Sequence, residues 1–214
     1  MNETDLRISQ TGIVPVIRLT NPGRDAAPLA RALCAGGVPV AEVTFRAEGA
    51  ERAISAMREE CPEMLVGAGT VLTVGQIESA AAAGASFIVS PGFDPELVSA
   101  CLERGLPVYP GVTTPTEVMA ALKFGLEVLK FFPAEQSGGA AKIRAMSAPF
   151  PMVEFMPTGG ISLKNLASYL AVPAVCACGG SYMVTSDLIG NGKWDEITEL
   201  CRESVRVVKE VRNG

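Results

Sequence analysis

A rhythm constrains this chain more than any single motif does. Short apolar runs alternate with helical stretches eight times within 214 residues. The runs fall at 12–19, 40–46, 64–71, 86–90, 106–112, 127–135, 151–158 and 174–178. They are short, apolar and bounded by glycine or proline, which is how strands read. Helical patterns cover 24–35, 49–60, 74–83, 94–103, 115–124, 139–147 and 162–170, with more helix after 181 and a short leading helix at 3–11. Such alternation predicts parallel strands joined by right-handed crossovers. Eight units spaced roughly 20–25 residues apart predict an α/β fold, a (β/α)8 TIM barrel with a short N-terminal helix. An open doubly wound sheet fits less well, because no Gly-x-Gly-x-x-Gly follows the first strand. No linker or low-complexity tract divides the chain, so residues 1–214 read as one domain.

Composition removes whole classes of function. Hydrophobic residues make up 48%, enough for a sizeable core. The formal charge is -5 with no basic run, which argues against nucleic acid or an anionic membrane as partner. No apolar run approaches a membrane span. The acidic, polar start Met1-Asn2-Glu3-Thr4-Asp5 does not read as a signal peptide, so a cytoplasmic location is expected. The six cysteines then read as free buried thiols. Cys176 and Cys178 share a strand face, but no second pair has zinc-ligand spacing, so no metal is expected. Histidine is absent. Serine–histidine and cysteine–histidine nucleophiles are thereby excluded, and proton transfer near neutral pH falls to carboxylates or lysines.

A barrel places its active site at the C-terminal ends of its strands. In the sixth strand, alternation puts Val128, Lys130 and Phe132 on one face and Leu129 and Phe131 on the other. Apolar neighbours strip a lysine of hydration, burial disfavours an ammonium ion, and a neutral lysine can form a Schiff base with a carbonyl. The competing reading is an edge-strand lysine that snorkels to water. In the second strand Glu42, Thr44 and Arg46 share one face and Ala41, Val43 and Phe45 the other. The apolar face suits the outer helices, so the charged face points inward. Glu42 then suits proton transfer and Arg46 the binding of a carboxylate or phosphate; the alternative is a buried structural ion pair. Thr158-Gly159-Gly160-Ile161-Ser162 and Gly179-Gly180-Ser181 close the seventh and eighth strands, and each is expected to open a helix. Glycines there let backbone N–H groups close on an anion, a recurrent phosphate site in barrels.

These motifs resemble the class I 2-keto-3-deoxy-6-phosphogluconate (KDPG) aldolases, which commonly also act on 4-hydroxy-2-oxoglutarate. The matching stretches are 12–18, 42–46, 67–71, 90–92, 110–117, 129–135, 157–161 and 179–181, in family order and across nearly the whole chain. The resemblance implies that Lys130 forms the Schiff base and that Glu42 is the general acid/base, working through a water. It implies that Arg46 and Thr70 bind the substrate carboxylate, with Pro91 lining that end. Phe132 would pack beside the imine and Thr158 would border the reacting carbons. Gly159, Gly160, Gly179, Gly180 and Ser181 would hold the phosphate. A homotrimer that needs no metal or other cofactor is implied, acting on a small 2-keto acid phosphate. Tyr182 stands where the family commonly has tryptophan, and Gln136-Ser137 follows Pro-Ala-Glu; both touch on substrate preference. Three alternatives remain open: the same chemistry on the galactonate epimer, a phosphate-binding barrel without an imine, and a non-catalytic sugar-phosphate sensor.

Overall fold

Helix starts in this chain are written in its side chains, as the computed structural model, which describes residues 2–214, makes plain. Asn2 caps α1 (Glu3–Thr11) by accepting from the Asp5 N–H. There follow β1 (Ile13–Ile17), α2 (Pro22–Ala35), β2 (Val40–Thr44), α3 (Ala50–Glu60) and β3 (Leu65–Gly69). The Thr73 hydroxyl caps α4 (Val74–Ala82), β4 (Ile88–Val89) follows, and Asp94 with Pro95 starts α5 (Pro95–Glu103). After β5 (Val108–Tyr109) and β6 (Gly111–Val112), Thr114 and Pro115 start α6 (Pro115–Leu122). Then come β7 (Val128–Phe131), a 3₁₀ turn (Glu135–Ser137), α7 (Gly139–Ser147), β8 (Glu154–Pro157) and α8 (Leu163–Leu170). The chain closes with β9 (Cys178–Gly180), α9 (Ser186–Gly190) and α10 (Trp194–Asn213). A polar oxygen at the cap position accepts an otherwise orphaned N–H, and proline at the first helical position has none to lose.

Every strand pairing is parallel. β1, β2 and β3 are buried at every position, as strands covered on both faces must be. The sequence rhythm anticipates one continuous ladder of eight strands. The structure instead carries a six-stranded sheet, β5-β4-β3-β2-β1-β9, and a three-stranded one, β6-β7-β8. The expected fifth strand, 106–112, is split at Pro110, which has no N–H to place in a ladder. Its halves pair with β4 on one side and β7 on the other. The expected eighth strand, 174–178, is displaced. The Val175 N–H donates to Val172 within a turn, and the ladder with β1 begins only at Cys178. Isolated bridges join β8 to the segment before β9, Phe155 with Val175, and the residue after β8 to β9 itself, Thr158 with Gly179.

The leading helix α1 is held to the strands by a buried hydrogen bond. Tyr109 Oη donates to Asp5 Oδ1 at 2.6 Å, and burial together with this bond pushes the tyrosine well above its ordinary pKa. No helix among the described residues is long and apolar enough to cross a membrane. Between strands and helices the core is close-packed, with Phe131 and Phe155 edge to face at 6.3 Å and 83°. Both rings are fully buried on adjacent strands, β7 and β8. Phe155→Ala is therefore expected to cost about 3–5 kcal/mol in denaturant unfolding, while Met119→Ala, at an exposed position of α6, stays within about 0.5 kcal/mol.

Candidate active site

Lys130 and Glu42 meet although they belong to different sheets. Lys130 lies on β7 and is 4% exposed; Glu42 lies on β2 and is 1% exposed. Lys130 Nζ stands 3.4 Å from Glu42 Oε1. The other carboxylate oxygen, Oε2, is buried with no protein donor. Such an atom is costly unless something else uses it. Space for Glu42 comes from glycine: a Cβ on Gly69 would overlap its carboxylate. Gly67 and Gly111, the ladder partners of Glu42 and Lys130, instead make room for the Phe87 ring and the Pro91 carbonyl. Phe132 sets its ring 5.1 Å from Nζ, so the amine sits against an apolar face.

A cavity of about 230 Å³ opens over this pair, and every residue singled out from the sequence for catalysis or binding lines it. A second cavity of the same size lies beside α1, lined among others by Asp5 and Tyr109. Asp5 there is already engaged by the Asn2 N–H and by Tyr109, and no lysine or arginine lines that space. Chemistry, not volume, separates the two.

Around the first cavity the residues take distinct places. Arg46 is exposed in the turn after β2, because that strand ends at Thr44 and not at residue 46. The buried Glu42–Arg46 ion pair considered from the sequence is not formed; the ion partner of Glu42 is Lys130. Thr44 is buried and donates to the Ile17 carbonyl at 2.8 Å, a structural use of its hydroxyl. Thr70 follows β3 at φ 55, the only non-glycine positive φ among the described residues. Backbone in that region costs free energy for a β-branched residue, so the surroundings hold it there. Pro91 lies just after β4, and its carbonyl packs so close to Gly111 that a Cβ there would overlap it. Thr158 is buried at the end of β8, and a Cβ on Gly179 would overlap its hydroxyl.

The loop after β8 is built to present N–H groups. The Thr158 carbonyl accepts from the Ala134 N–H at 2.8 Å and the Gly159 carbonyl from the Glu135 N–H at 3.1 Å. The Gly160 carbonyl accepts from Asn165 Nδ2 at 2.9 Å. In a planar trans peptide the N–H points opposite to the carbonyl. With these three carbonyls engaged, the N–H groups of Gly159, Gly160 and Ile161 each point away from the donor that holds the preceding carbonyl. None of these three has a protein acceptor among the described residues, and all three residues line the cavity. Gly159 and Gly160 have φ of 103° and 80°, which only glycine adopts readily. Successive N–H groups turned to one side make an anion-binding concavity.

The second glycine pair differs from expectation. Gly179 and Gly180 lie inside β9, paired with Val14 and Pro15, rather than in a loop. Ser181 is exposed at the strand end and starts no helix: the Val184 N–H donates to the Ser181 carbonyl in a turn, and the next helix, α9, has five residues. Tyr182 packs on Gly180, and its hydroxyl lies 2.6 Å from Ser204 Oγ on α10. Burial pushes Tyr182 up to about 12. Sequence reasoning missed Val16 and Ile161, which also line the cavity. The alternation of β1 carries a signal for Val16. It also missed Gly69 and Asn165, whose parts depend on contacts between distant residues.

All six cysteines are free, and no group of three acidic, cysteine or histidine residues among the described residues is placed to hold a metal. Burial pushes Cys101 up to about 11 and Cys34, Cys176 and Cys201 up to about 12. At pH 8 these four thiols stay protonated, and Cys61 and Cys178 are buried, so native protein is expected to react slowly with an aromatic disulfide reagent and to release all six equivalents only on unfolding. Gly69→Ala is expected to lower kcat by about 10²-fold through displacement of Glu42, with the fold retained by circular dichroism. Gly75→Ala, in an uncrowded position of α4, should leave turnover unchanged.

Comparison with known proteins bears on what this site does. The family model described as aldolase, KDPG and KHG aldolase, matches residues 4–200. A 2-dehydro-3-deoxy-phosphogluconate aldolase of Treponema pallidum is 49% identical over 201 residues, covering 94% of this chain and 95% of its own. The KHG/KDPG aldolase of Escherichia coli K12 is 46% identical over 197 residues, 92% of each chain. The crystal structure of a Legionella pneumophila KDPG aldolase, with pyruvate captured as a covalent carbinolamine, superposes with a TM-score of 0.90 at 42% identity, covering 94% of this chain and 97% of that one.

Proposed function

The chain belongs to the KDPG and KHG aldolase family, and on that premise we propose how its residues carry out a Schiff-base aldol cleavage. It cleaves 2-dehydro-3-deoxy-6-phosphogluconate to pyruvate and glyceraldehyde 3-phosphate, and 4-hydroxy-2-oxoglutarate to pyruvate and glyoxylate. The observation that carries this reading is the buried Lys130–Glu42 pair under a cavity also lined by Arg46 and by Gly159, Gly160 and Ile161, whose N–H groups are free.

Lys130 gives its ammonium proton to Glu42 and the freed amine attacks the C2 carbonyl; the carbinolamine takes that proton back as its hydroxyl leaves as water, giving an iminium and restoring the Glu42 carboxylate. That iminium draws the C3–C4 bonding pair toward nitrogen as the C4 hydroxyl gives up its proton. Glu42 receives that proton, directly or through water; its unpartnered Oε2 is the atom suited to it. The aldehyde leaves, the enamine takes a proton at C3, and hydrolysis returns pyruvate and the lysine. Arg46 and Thr70 hold the carboxylate of the keto acid, with Pro91 lining that end and Phe132 excluding water beside the imine. Thr158 borders C4. The substrate phosphate lies on the N–H groups of Gly159 and Gly160, with Gly179, Gly180 and Ser181 on its other side. Binding of this remote group orients the reacting carbons. No step requires a metal or other cofactor.

The two parallel sheets are read as one closed (β/α)8 barrel in a single domain. β5 and β6 are one strand interrupted at Pro110, and the bridge of Thr158 to Gly179 links β8 to β9. The contact of Lys130 with Glu42 across the interior supports the closure. A cytoplasmic homotrimer is the assembly and location proposed.

The test is turnover of both substrates by purified protein, followed by coupled reduction of pyruvate. Lys130→Met is expected to abolish cleavage of both, and Glu42→Gln to lower kcat by about 10²–10⁴-fold. Full turnover by folded Lys130→Met enzyme would refute the imine mechanism, and full kcat in Glu42→Gln would remove Glu42 from proton transfer.

A further inference from the structure

We propose that Asn165 is the positioning residue that makes this site selective for phosphorylated substrates. The proposal rests on the phosphate lying at Gly159 and Gly160, as argued above. Asn165 is the third residue of α8, where a helix needs only an acceptor for the N–H of the residue before its first turn. Its Oδ1 does that work, accepting from the Ser162 N–H at 2.8 Å. The Nδ2 end does something capping does not require: it donates to the Gly160 carbonyl at 2.9 Å. Of the three donors that hold successive loop carbonyls outward, two are backbone N–H groups, of Ala134 and Glu135. Only the third is a side chain, so only there does the choice of residue decide the loop's polarity.

The consequence follows from peptide geometry. Holding the Gly160 carbonyl outward turns the Ile161 N–H toward the cavity. A side chain at 165 must therefore offer an acceptor and a donor from one short planar group, which an amide supplies and a carboxylate does not. Asp at 165 would keep the cap on Ser162. Against the Gly160 carbonyl it would set oxygen on oxygen, driving that peptide to rotate and withdrawing the Ile161 N–H. It would also bring a negative charge to a loop that receives a dianion. The unphosphorylated 4-hydroxy-2-oxoglutarate has nothing to place on that N–H.

The experiment compares wild type with Asn165→Asp and Asn165→Ala. Three readouts are taken: KM and kcat on both substrates, inhibition of 4-hydroxy-2-oxoglutarate cleavage by inorganic phosphate, and pyruvate–borohydride labelling. The Asn165→Asp enzyme is expected to lose about tenfold or more in kcat/KM on the phosphorylated acid, mainly through KM, beyond whatever it loses on the unphosphorylated one. Inhibition by phosphate should weaken in parallel. Asn165→Ala, which adds no charge, is expected to show a smaller loss of the same selectivity, and it carries the test if Asn165→Asp does not fold. Equal losses on both substrates, with phosphate inhibition unchanged, would overturn the positioning role and leave the aldolase reading standing. If wild type neither prefers the phosphorylated acid nor is inhibited by phosphate, the phosphate site itself is misplaced and the proposal falls with it.

Discussion

Two opposite charges buried 3.4 Å apart are what the rest of this structure accommodates. Taking a lysine and a glutamate out of water is expensive, and their attraction repays it only in part. Apolar residues of the same volume would serve stability as well or better. On the proposed mechanism the pair persists because the chemistry needs an amine and a carboxylate side by side, and the surrounding sequence is shaped to allow it. Glycine takes the positions where a Cβ would strike Glu42 or Thr158, at Gly69 and Gly179. Glycine also stands beside both charges in the ladders, at Gly67 and Gly111. The stiff, fully buried strands fix what little freedom remains.

The same logic runs outward to the rim of the cavity. Arg46 and Thr70, the latter on strained backbone, bring a cation and a hydroxyl to the lining. The loop after β8 has its carbonyls engaged by Ala134, Glu135 and Asn165, while the N–H groups of Gly159, Gly160 and Ile161, which line the cavity, stay without a protein acceptor among the described residues. On the proposed reading, a keto acid phosphate sets its carboxylate on Arg46 and Thr70 and its phosphate on the loop N–H groups. Binding energy from both groups would then hold C2 against Lys130 and C4 near Glu42.

Much of this was legible in the sequence because strands alternate with period two. Lys130 between Val128 and Phe132, and Glu42 opposite the apolar face of Ala41 and Val43, are consequences of that period, and both side chains do point into the cavity. Period two fails where hydrogen bonding breaks the ladder. Arg46 lies beyond the end of β2, so its exposure follows from a turn rather than from strand alternation. Pro110 divides a strand that hydropathy alone reads as whole, and the turn at Val172–Val175 delays β9 until its glycines are in the ladder. The roles of Gly69 and Asn165 were not legible at all. Each depends on which distant atom arrives beside it, and one sequence contains no such distance.

Lys130 is the residue proposed to become covalently attached to the substrate carbonyl inside this cavity. Mass spectrometry with peptide mapping, after incubation with pyruvate and borohydride, tests it most directly. The account predicts one reduced pyruvate adduct per chain, on Lys130, absent from folded Lys130→Met protein. An adduct on another lysine, or none on folded wild type, would contradict it.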